Sequence, residues 1–394
     1  MTTADVVSYP FNSPRGLTMD PAYAEARSRE GMVRVRLPYG EPAWLATRYA
    51  DVRFVLGDRR FSRAAATGRD EPRATPGQVG AGFLDQDPPD HTRLRTLVAK
   101  AFTVRRVESL RPRVRSLADA LLDGMIAGGS PADLVENFAL PLPVAVICEL
   151  LGVPSDDRPR FQVWSDALLS TSSLTAEEYQ ANREELRAYI GAHAAKRRAT
   201  PADDLITALI EARDLHDRLS EQELIDVSIA ILVGGHETTA TQIANFAYAL
   251  TEQPERYAEL CAAPERIPAA VEELLRYVPL GIGAAFARYA TEDVEVGGVL
   301  VRAGEPVLAS VGSANYDSLR FDEPEVLRFD RADNRHLGFG HGLHHCLGAQ
   351  LARLELQEAF GALMAKMPRL RRAGEIEWKT RMIVRGPRTM PVAW

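Results

Sequence analysis

The segment densest in reactive side chains is Phe339-Gly340-His341-Gly342-Leu343-His344-His345-Cys346-Leu347-Gly348. A helical pattern follows it, Ala349-Gln350-Leu351-Ala352-Arg353-Leu354-Glu355-Leu356, so Cys346 is expected at or just before a helix N-terminus. Free N–H groups and the positive end of the helix dipole favour a thiolate there over a thiol. Gly340, Gly342 and Gly348 let the backbone turn tightly around the sulfur and let a flat ligand approach. Four of the eight histidines fall within 336–345, which raises zinc as one reading. Zinc sites use spaced pairs of ligands. Here one cysteine stands beside two adjacent histidines, His344 and His345, which project in different directions. A nucleophilic cysteine is the other reading these residue types leave open.

A second cluster lies in the middle of a long helix. Ser220-Glu221-Gln222-Glu223 has the form of a capping box, and the helix it opens runs to about Glu252, ahead of Pro254. At 1.5 Å per residue its length is about 48 Å, enough to cross a domain. Its centre reads Leu232-Val233-Gly234-Gly235-His236-Glu237-Thr238-Thr239. Two mid-helix glycines cost about 1 kcal/mol each relative to alanine, so close packing or function must offset them. Two further spacings put charges on one helix face: His91 with Arg95, and Glu273 with Arg276.

The elements that must position these groups are mostly helical. Periodicity predicts helices over 103–127, 143–151, 157–169, 176–197, 221–252, 254–261, 266–277 and 348–366. Residues 32–37 and 43–47 flank a Pro-Gly-rich turn and predict a hairpin. So do residues 294–302 around Gly297-Gly298. Residues 64–82 carry Gly68, Pro72, Pro76, Gly77, Gly80 and Gly82 and read as a long structureless loop, of the kind that serves as a lid. Helical patterns continue on both sides of 199–204, so the whole of 1–394 is expected to be a single domain.

The bulk properties narrow the function classes. The chain has 394 residues, 46% hydrophobic and 26% charged, and a formal charge of −7, which argues against general nucleic-acid binding. Charge is uneven: Arg93, Arg95, Lys100, Arg105, Arg106, Arg111, Arg113 and Arg115 stand against one acid, Glu108. That stretch reads as a solvated face or as a docking patch for an acidic partner. Three cysteines, Cys148, Cys261 and Cys346, form no disulfide framework and suit a reducing compartment. Cys148 lies in an apolar run and Cys261 among alanines, so both are expected to be structural. Residues 1–13 have no basic start and no apolar stretch, and no segment approaches the ~18 apolar residues that span a bilayer. The expectation is a cytoplasmic protein that meets neither membrane nor nucleic acid.

The cysteine segment resembles the haem-binding loop of the cytochrome P450 family, with Phe339, Gly340, Gly342, His344, Cys346 and Gly348 at the pattern's fixed positions. Gly234, Gly235, Glu237 and Thr238 are similar to that family's oxygen-binding helix. The resemblance extends over nearly the whole chain. It implies a mainly α fold with small β-sheets, the P450 fold, around haem b, with Cys346 as the thiolate ligand to iron. By the same likeness Thr238 and Glu237 are catalytic and deliver protons, and a helix distortion leaves room for dioxygen and a water. His91, Arg95, Arg288 and His344 hold the propionates, and Phe339, Gly340 and Gly348 shape the loop. Glu273-Leu274-Leu275-Arg276 matches the family's Glu-x-x-Arg, with Arg331 as the third member of a structural ion network. Asn315-Tyr316-Asp317 departs from relatives that carry an arginine in the middle. Family topology places Val79, Phe83, Leu168, Leu169, Ile229, Val233, Gly234, Ile282, Ala285, Met382, Ile383 and Val384 around the substrate.

Few charges occur in that set, so the substrate implied is small and apolar or aromatic, with hydroxylation in bacterial secondary metabolism as the role. Electrons would come from NAD(P)H through ferredoxin reductase and ferredoxin, docked near Arg105 and Arg106. Oxidative coupling of two aromatic rings by the same oxidant is one alternative. A haem sensor or carrier without turnover is another, and the Glu237-Thr238 pair argues against it.

Overall fold

The computed structural model describes residues 6–11, 16–74, 82–169, 174–214, 219–281, 283, 286–380 and 382–394. Helices dominate: α1 (Pro21–Ser28), α2 (Tyr49–Gly57), α3 (Asp90–Ala99), α4 (Val104–Ser109), α5 (Arg111–Gly128), α6 (Pro141–Leu151) and α7 (Arg158–Leu169). They continue as α8 (Ala176–Ala199), α9 (Leu205–Asp214), α10 (Glu221–Thr251), α11 (Pro254–Ala262), α12 (Ile267–Tyr277), α13 (Val311–Ala314) and α14 (Ala349–Lys366).

The longest, α10, starts where the sequence predicts. The Ser220 side chain accepts from the Glu223 N–H, and the Glu223 carboxylate accepts from the Ser220 N–H. Leu224, Val227, Ile231, Ile243, Phe246 and Leu250 of α10 are buried in the main core, where α10 packs against α6, α8 and α14. α5 packs against α14 and α6 in the same core, and Cys148 is fully buried there.

The helix expected over 103–127 is two helices, divided at Leu110. Pro112 explains the break. Its ring would collide with the carbonyl four residues back in a continuous helix, and it fits the first turn of α5.

Strands β1 (Val7–Ser8), β2 (Val33–Arg36), β3 (Ala43–Ala46), β4 (Phe61–Ser62), β6 (Arg288–Ala290) and β9 (Pro306–Ala309) form one sheet in the order β1-β2-β3-β9-β6-β4, and β5 (Ala132–Asp133) belongs to another. The expected hairpins are present. Val33 pairs with Leu45 and Val35 with Ala43, while β7 (Val294–Val296) pairs with β8 (Val299–Val301). Gly297 and Gly298, at φ +56° and +83°, make the tight turn that only such residues adopt readily. Strands β10 (Arg371–Arg372), β11 (Glu377–Trp378), β12 (Pro387–Thr389) and β13 (Pro391–Ala393) close the chain, with β10-β13-β5 in one sheet and β11-β12 in another.

The loop expected to be structureless over 64–82 is partly organised. A 3-10 turn covers Ala64–Ala66, and Arg73 exchanges two backbone hydrogen bonds with Tyr39, at 3.0 and 3.2 Å. The partner lies more than thirty residues away, beyond the reach of local pattern. Residues 75–81 of that loop lie outside the described residues. Among the described residues, no helix is long and apolar enough to cross a membrane.

Candidate active site

The cysteine loop is a compact, hydrogen-bonded turn. The Cys346 N–H donates to the Phe339 carbonyl at 2.8 Å, and the Gly340 N–H to that of Leu337 at 2.7 Å. Gly340 and Gly342 sit at φ +74° and +72°, and a Cβ at Gly342 would fall 2.3 Å from the Leu56 carbonyl oxygen on α2. Cys346 lies two residues ahead of Gly348, the N-cap of α14. Its side chain is exposed on one side. Burial by the rest of the loop nevertheless pushes the thiol pKa up, against the pull of the Gly348 N–H, Arg95 and Arg353. The helix-end effect expected from sequence is therefore outweighed by desolvation, so a thiolate here needs a bound cation as partner.

Arg353 braces the loop from α14. Its guanidinium lies 4.6 Å from the Phe339 ring centre and makes two bonds to Glu272 of α12, at 2.7 and 2.9 Å. Burial favours the neutral acid at Glu272, but His336 and Arg353 hold its pKa down at about 2. The four clustered histidines do not converge on one point. His336 binds Glu272, His341 approaches Gly57, His344 lies against His91, and the His345 carbonyl accepts from Arg95.

Beside the loop, His91 of α3 and Arg288 of β6 come together with His344, with Asp87 near enough to act on all three. His91 is buried, with its ring 4.3 Å from that of His344. Both ring nitrogens of His344 and the Nε of Arg288 are buried without a hydrogen-bond partner. Burial, then Arg288 and His91, push the His344 pKa down to about 3. Burial and Arg63 push that of Arg288 down to about 10. So many orphaned donors beside a cysteine fit a ligand that carries carboxylates.

The two mid-helix glycines of α10 have different causes. A Cβ at Gly235 would lie 2.6 Å from Ile147 Cδ1, so Gly235 serves the close packing of α10 on α6. A Cβ at Gly234 would meet no atom within 4 Å, and the same holds at Gly348. Neither glycine has a positive φ, so packing and backbone strain leave both unexplained, and a flat ligand that passes close to each explains both. Ala230, Gly234 and Thr238, spaced by four, form an accessible stripe on a helix otherwise largely buried. α10 runs unbroken from Glu221 to Thr251, and within it the Thr238 hydroxyl donates to the Gly234 carbonyl at 2.8 Å.

The comparisons with known proteins agree with this geometry. The family model "Cytochrome P450" matches residues 144–263 and 265–367. The chain is 55% identical over 397 residues to the mycinamicin IV hydroxylase/epoxidase of Micromonospora griseorubida, covering 100% of both chains. It is 53% identical over 399 residues to the nocardicin C N-oxygenase of Nocardia uniformis subsp. tsuyamanensis, again covering 100% of each. The chain belongs to the cytochrome P450 family. Its fold is the P450 fold. A solved P450 described as having biaryl coupling reactivity, P450mel 107F1, superposes with a TM-score of 0.95 at 42% identity, over 99% of this chain and 100% of that one. The chain is thus a haem-iron monooxygenase of the kind found in secondary-metabolite biosynthesis.

The P450's ion network is buried. Arg276 makes two bonds to Glu273, at 2.7 and 2.8 Å, and Arg331 adds one at 2.9 Å. The remaining Arg276 and Arg331 donors reach the carbonyls of Asn315, Asp322, Glu323, Pro324 and Val326. Tyr316 turns its ring toward Arg276 and donates to the Tyr277 carbonyl at 2.6 Å.

Of the residues expected around the substrate, Ile229 and Val233 are half-buried and Gly234 is exposed on α10. Leu168, Met382 and Val384 are buried, and Ile383 is half-buried. Val79, Ile282 and Ala285 lie outside the described residues, and Phe83 and Leu169 are described by their backbone alone. Between Ile282 and Ala285, position 283 is Gly283. Packing gives the reason: a Cβ there would fall 2.9 Å from Pro10 Cβ and 2.9 Å from the Tyr9 hydroxyl, which leaves no room for a branched side chain.

The basic stretch is largely neutralised in place. Arg93 pairs with Glu223, Arg106 with Asp203, Arg113 with Glu149, and Arg111 and Arg115 with Glu358. Lys100 and Arg105 are exposed, and neither pairs with an acid among the described residues.

Sequence reasoning missed three contributors. Arg63 is fully buried, pairs with Glu71 and Asp85, and donates to the Ala287 carbonyl next to Arg288. Arg353 braces the cysteine loop, and Lys379 pairs with Glu237. Arg63 and Arg353 carry no local signal among so many arginines. Lysine is scarce here, and that alone could have marked Lys379.

Proposed function

We propose that the whole chain acts as one catalytic unit in which Cys346 ligates the iron of haem b. His91, Arg95, Arg288 and His344 would pair with its propionates, while Phe339, Gly340 and Gly348 shape the loop. The observation that carries this reading is the set of buried, partnerless ring and guanidinium nitrogens on His344 and Arg288 beside Cys346, the most exposed of the three cysteines. Bound haem would supply the binding and reductive activation of dioxygen. The protein's own part is to orient substrate and to bring protons. Thr238 presents its hydroxyl on the accessible stripe of α10, and Glu237, one residue earlier, is the acid that serves it.

Apolar Ala230, Val233 and Ile229 line the same side of α10 as Gly234, which favours a small apolar or aromatic substrate. Resemblance to the mycinamicin and nocardicin enzymes favours tailoring of a bacterial secondary metabolite. With a compound found by its shift of the haem spin state, wild-type protein is expected to place one atom of ¹⁸O₂ in the product. Thr238→Ala should still consume dioxygen and reductant while product formation falls about 10²-fold or more, with hydrogen peroxide released instead. Equal product yield from the variant would remove Thr238 from the mechanism. A product without label would favour ring coupling, the reading that the likeness to P450mel 107F1 supports.

Electrons are proposed to come from NAD(P)H through a reductase and an acidic ferredoxin. Its docking site would centre on exposed Lys100 and Arg105. Arg105→Glu should slow ferredoxin-driven reduction several-fold at low salt, and the gap should close as ionic strength rises. Reduction rates that match wild type at low salt would place docking elsewhere.

A further inference from the structure

The acid on α10 has a fixed partner. Glu237 Oε1 accepts a short hydrogen bond from Lys379 Nζ and a longer one, 3.4 Å, from the Thr241 hydroxyl. The same Nζ donates to Thr241 Oγ1 at 2.8 Å. The Lys379 N–H donates to the Gly386 carbonyl at 2.8 Å, and Gly386 abuts Thr241 and Asn245, so the start of the 379–386 loop is pinned against α10. Side-chain exposure is 3% at Glu237 and 9% at Lys379, and Thr241 is buried. The remaining titratable group facing the pair is His236. Its Nδ1 lies 2.7 Å from the Leu232 carbonyl, and burial pushes its pKa down, which keeps it neutral. Among the described side chains, then, Lys379 is the proton carrier that touches Glu237 and also reaches the surface.

The residue type is informative. Of the chain's 47 basic residues, four are lysine: Lys100, Lys196, Lys366 and Lys379. Arginine would make a stronger clamp, yet it does not release a proton in proteins; lysine does. A chain that uses arginine nearly everywhere has a titratable cation at this one buried acid.

We propose that Lys379 supplies the proton that Glu237 passes toward Thr238. In this step an N–H bond of the ammonium breaks as an O–H bond forms on Glu237 Oε1. The ion pair becomes an amine and a neutral acid, and no electron moves. In a largely buried site the neutral pair avoids the desolvation cost of two charges. Glu237 then gives its proton toward the Thr238 hydroxyl and is again a carboxylate. The amine recovers a proton from solvent at its exposed edge. Lys379 touches neither substrate nor haem, so it is a positioning residue that acts through Glu237.

The inference rests on the monooxygenase reading and is tested with haem-loaded protein, dioxygen being the probe. Electrons enter from NADPH through a ferredoxin and its reductase, and the readout is peroxide released per dioxygen consumed. Lys379→Arg keeps the charge and the hydrogen bonds but blocks the transfer, so the ratio should rise several-fold, and Lys379→Met should raise it too. A purely structural lysine would be rescued by arginine; an Arg variant with the wild-type ratio overturns the relay. If that variant fails to take up haem, Lys379→Gln, which still donates to Glu237 but carries no transferable proton, gives the same decision.

A second readout needs no turnover. Acetylation followed by mass spectrometry should find Lys379 slower to react than Lys100 and Lys196 in wild type, and faster in Glu237→Gln than in wild type. Equal reactivity in both would remove the pair itself. Wild-type protein that consumes no dioxygen at all would instead fail the monooxygenase reading, and the relay with it.

Discussion

Cys346→Ser protein is expected to lose oxygenase turnover by on the order of 10³-fold or more, the scale on which removal of one essential reactive group acts. A serine hydroxyl stays protonated and cannot donate charge to iron as a thiolate does. The loop itself should survive. Its hold on residue 346 is the N–H bond to the Phe339 carbonyl, which the substitution leaves in place, and Gly340 and Gly342 keep their turn. The cluster of His91, Arg288 and His344 is likewise untouched. Haem uptake should therefore weaken without vanishing, and the apoprotein should melt near the wild-type temperature. The decisive measurement is the absorption spectrum of the reduced, carbon monoxide-treated protein. Wild type should show the long-wavelength band of thiolate ligation and the variant should not. A variant that keeps both the band and the turnover would show that another residue ligates the iron.

The largest loss of stability should follow Glu273→Ala. Its carboxylate holds Arg276 and Arg331, whose side chains are 0% and 6% exposed, and it also accepts from the Arg328 N–H and the Asn334 amide. Removing it leaves two buried guanidinium groups without their countercharge, a cost of about 3–5 kcal/mol. Native domains hold only about 5–15 kcal/mol in reserve. The urea midpoint should fall sharply, and haem retention with it, because the segment ahead of the cysteine loop hangs on Arg331. Glu273→Gln keeps hydrogen-bond acceptors and should fall less. Breaking the exposed Arg302–Asp293 pair, by contrast, should scarcely move the midpoint. If Glu273→Ala shifted the midpoint no more than that surface control, the network would not be the structural lock its geometry describes.

Much of this molecule was legible as local pattern. The capping box at Ser220 and Glu223, the apolar period that follows, and the Gly297-Gly298 turn each act through neighbours a few residues away, and each appears where expected. The break at Leu110 was also written locally, in Pro112. Helices α2 and α9 went unread, and the two-residue strands contain too few positions to show a period; tertiary packing holds them.

The chemistry of the site divides the same way. Residue types and spacing marked Cys346, and the family resemblance marked the Glu237-Thr238 and Glu273-Arg276 pairs, because each motif is contiguous or lies within one helical turn. Only the folded chain separated Gly235, made necessary by Ile147, from Gly234, which packing does not require. Only the folded chain set burial against the helix-end effect at Cys346, placed Arg353 on the loop, and brought Lys379 to Glu237 across 142 positions. The reason is physical: backbone propensity is decided over a few residues, whereas desolvation and ion pairing depend on which distant segments the core brings together.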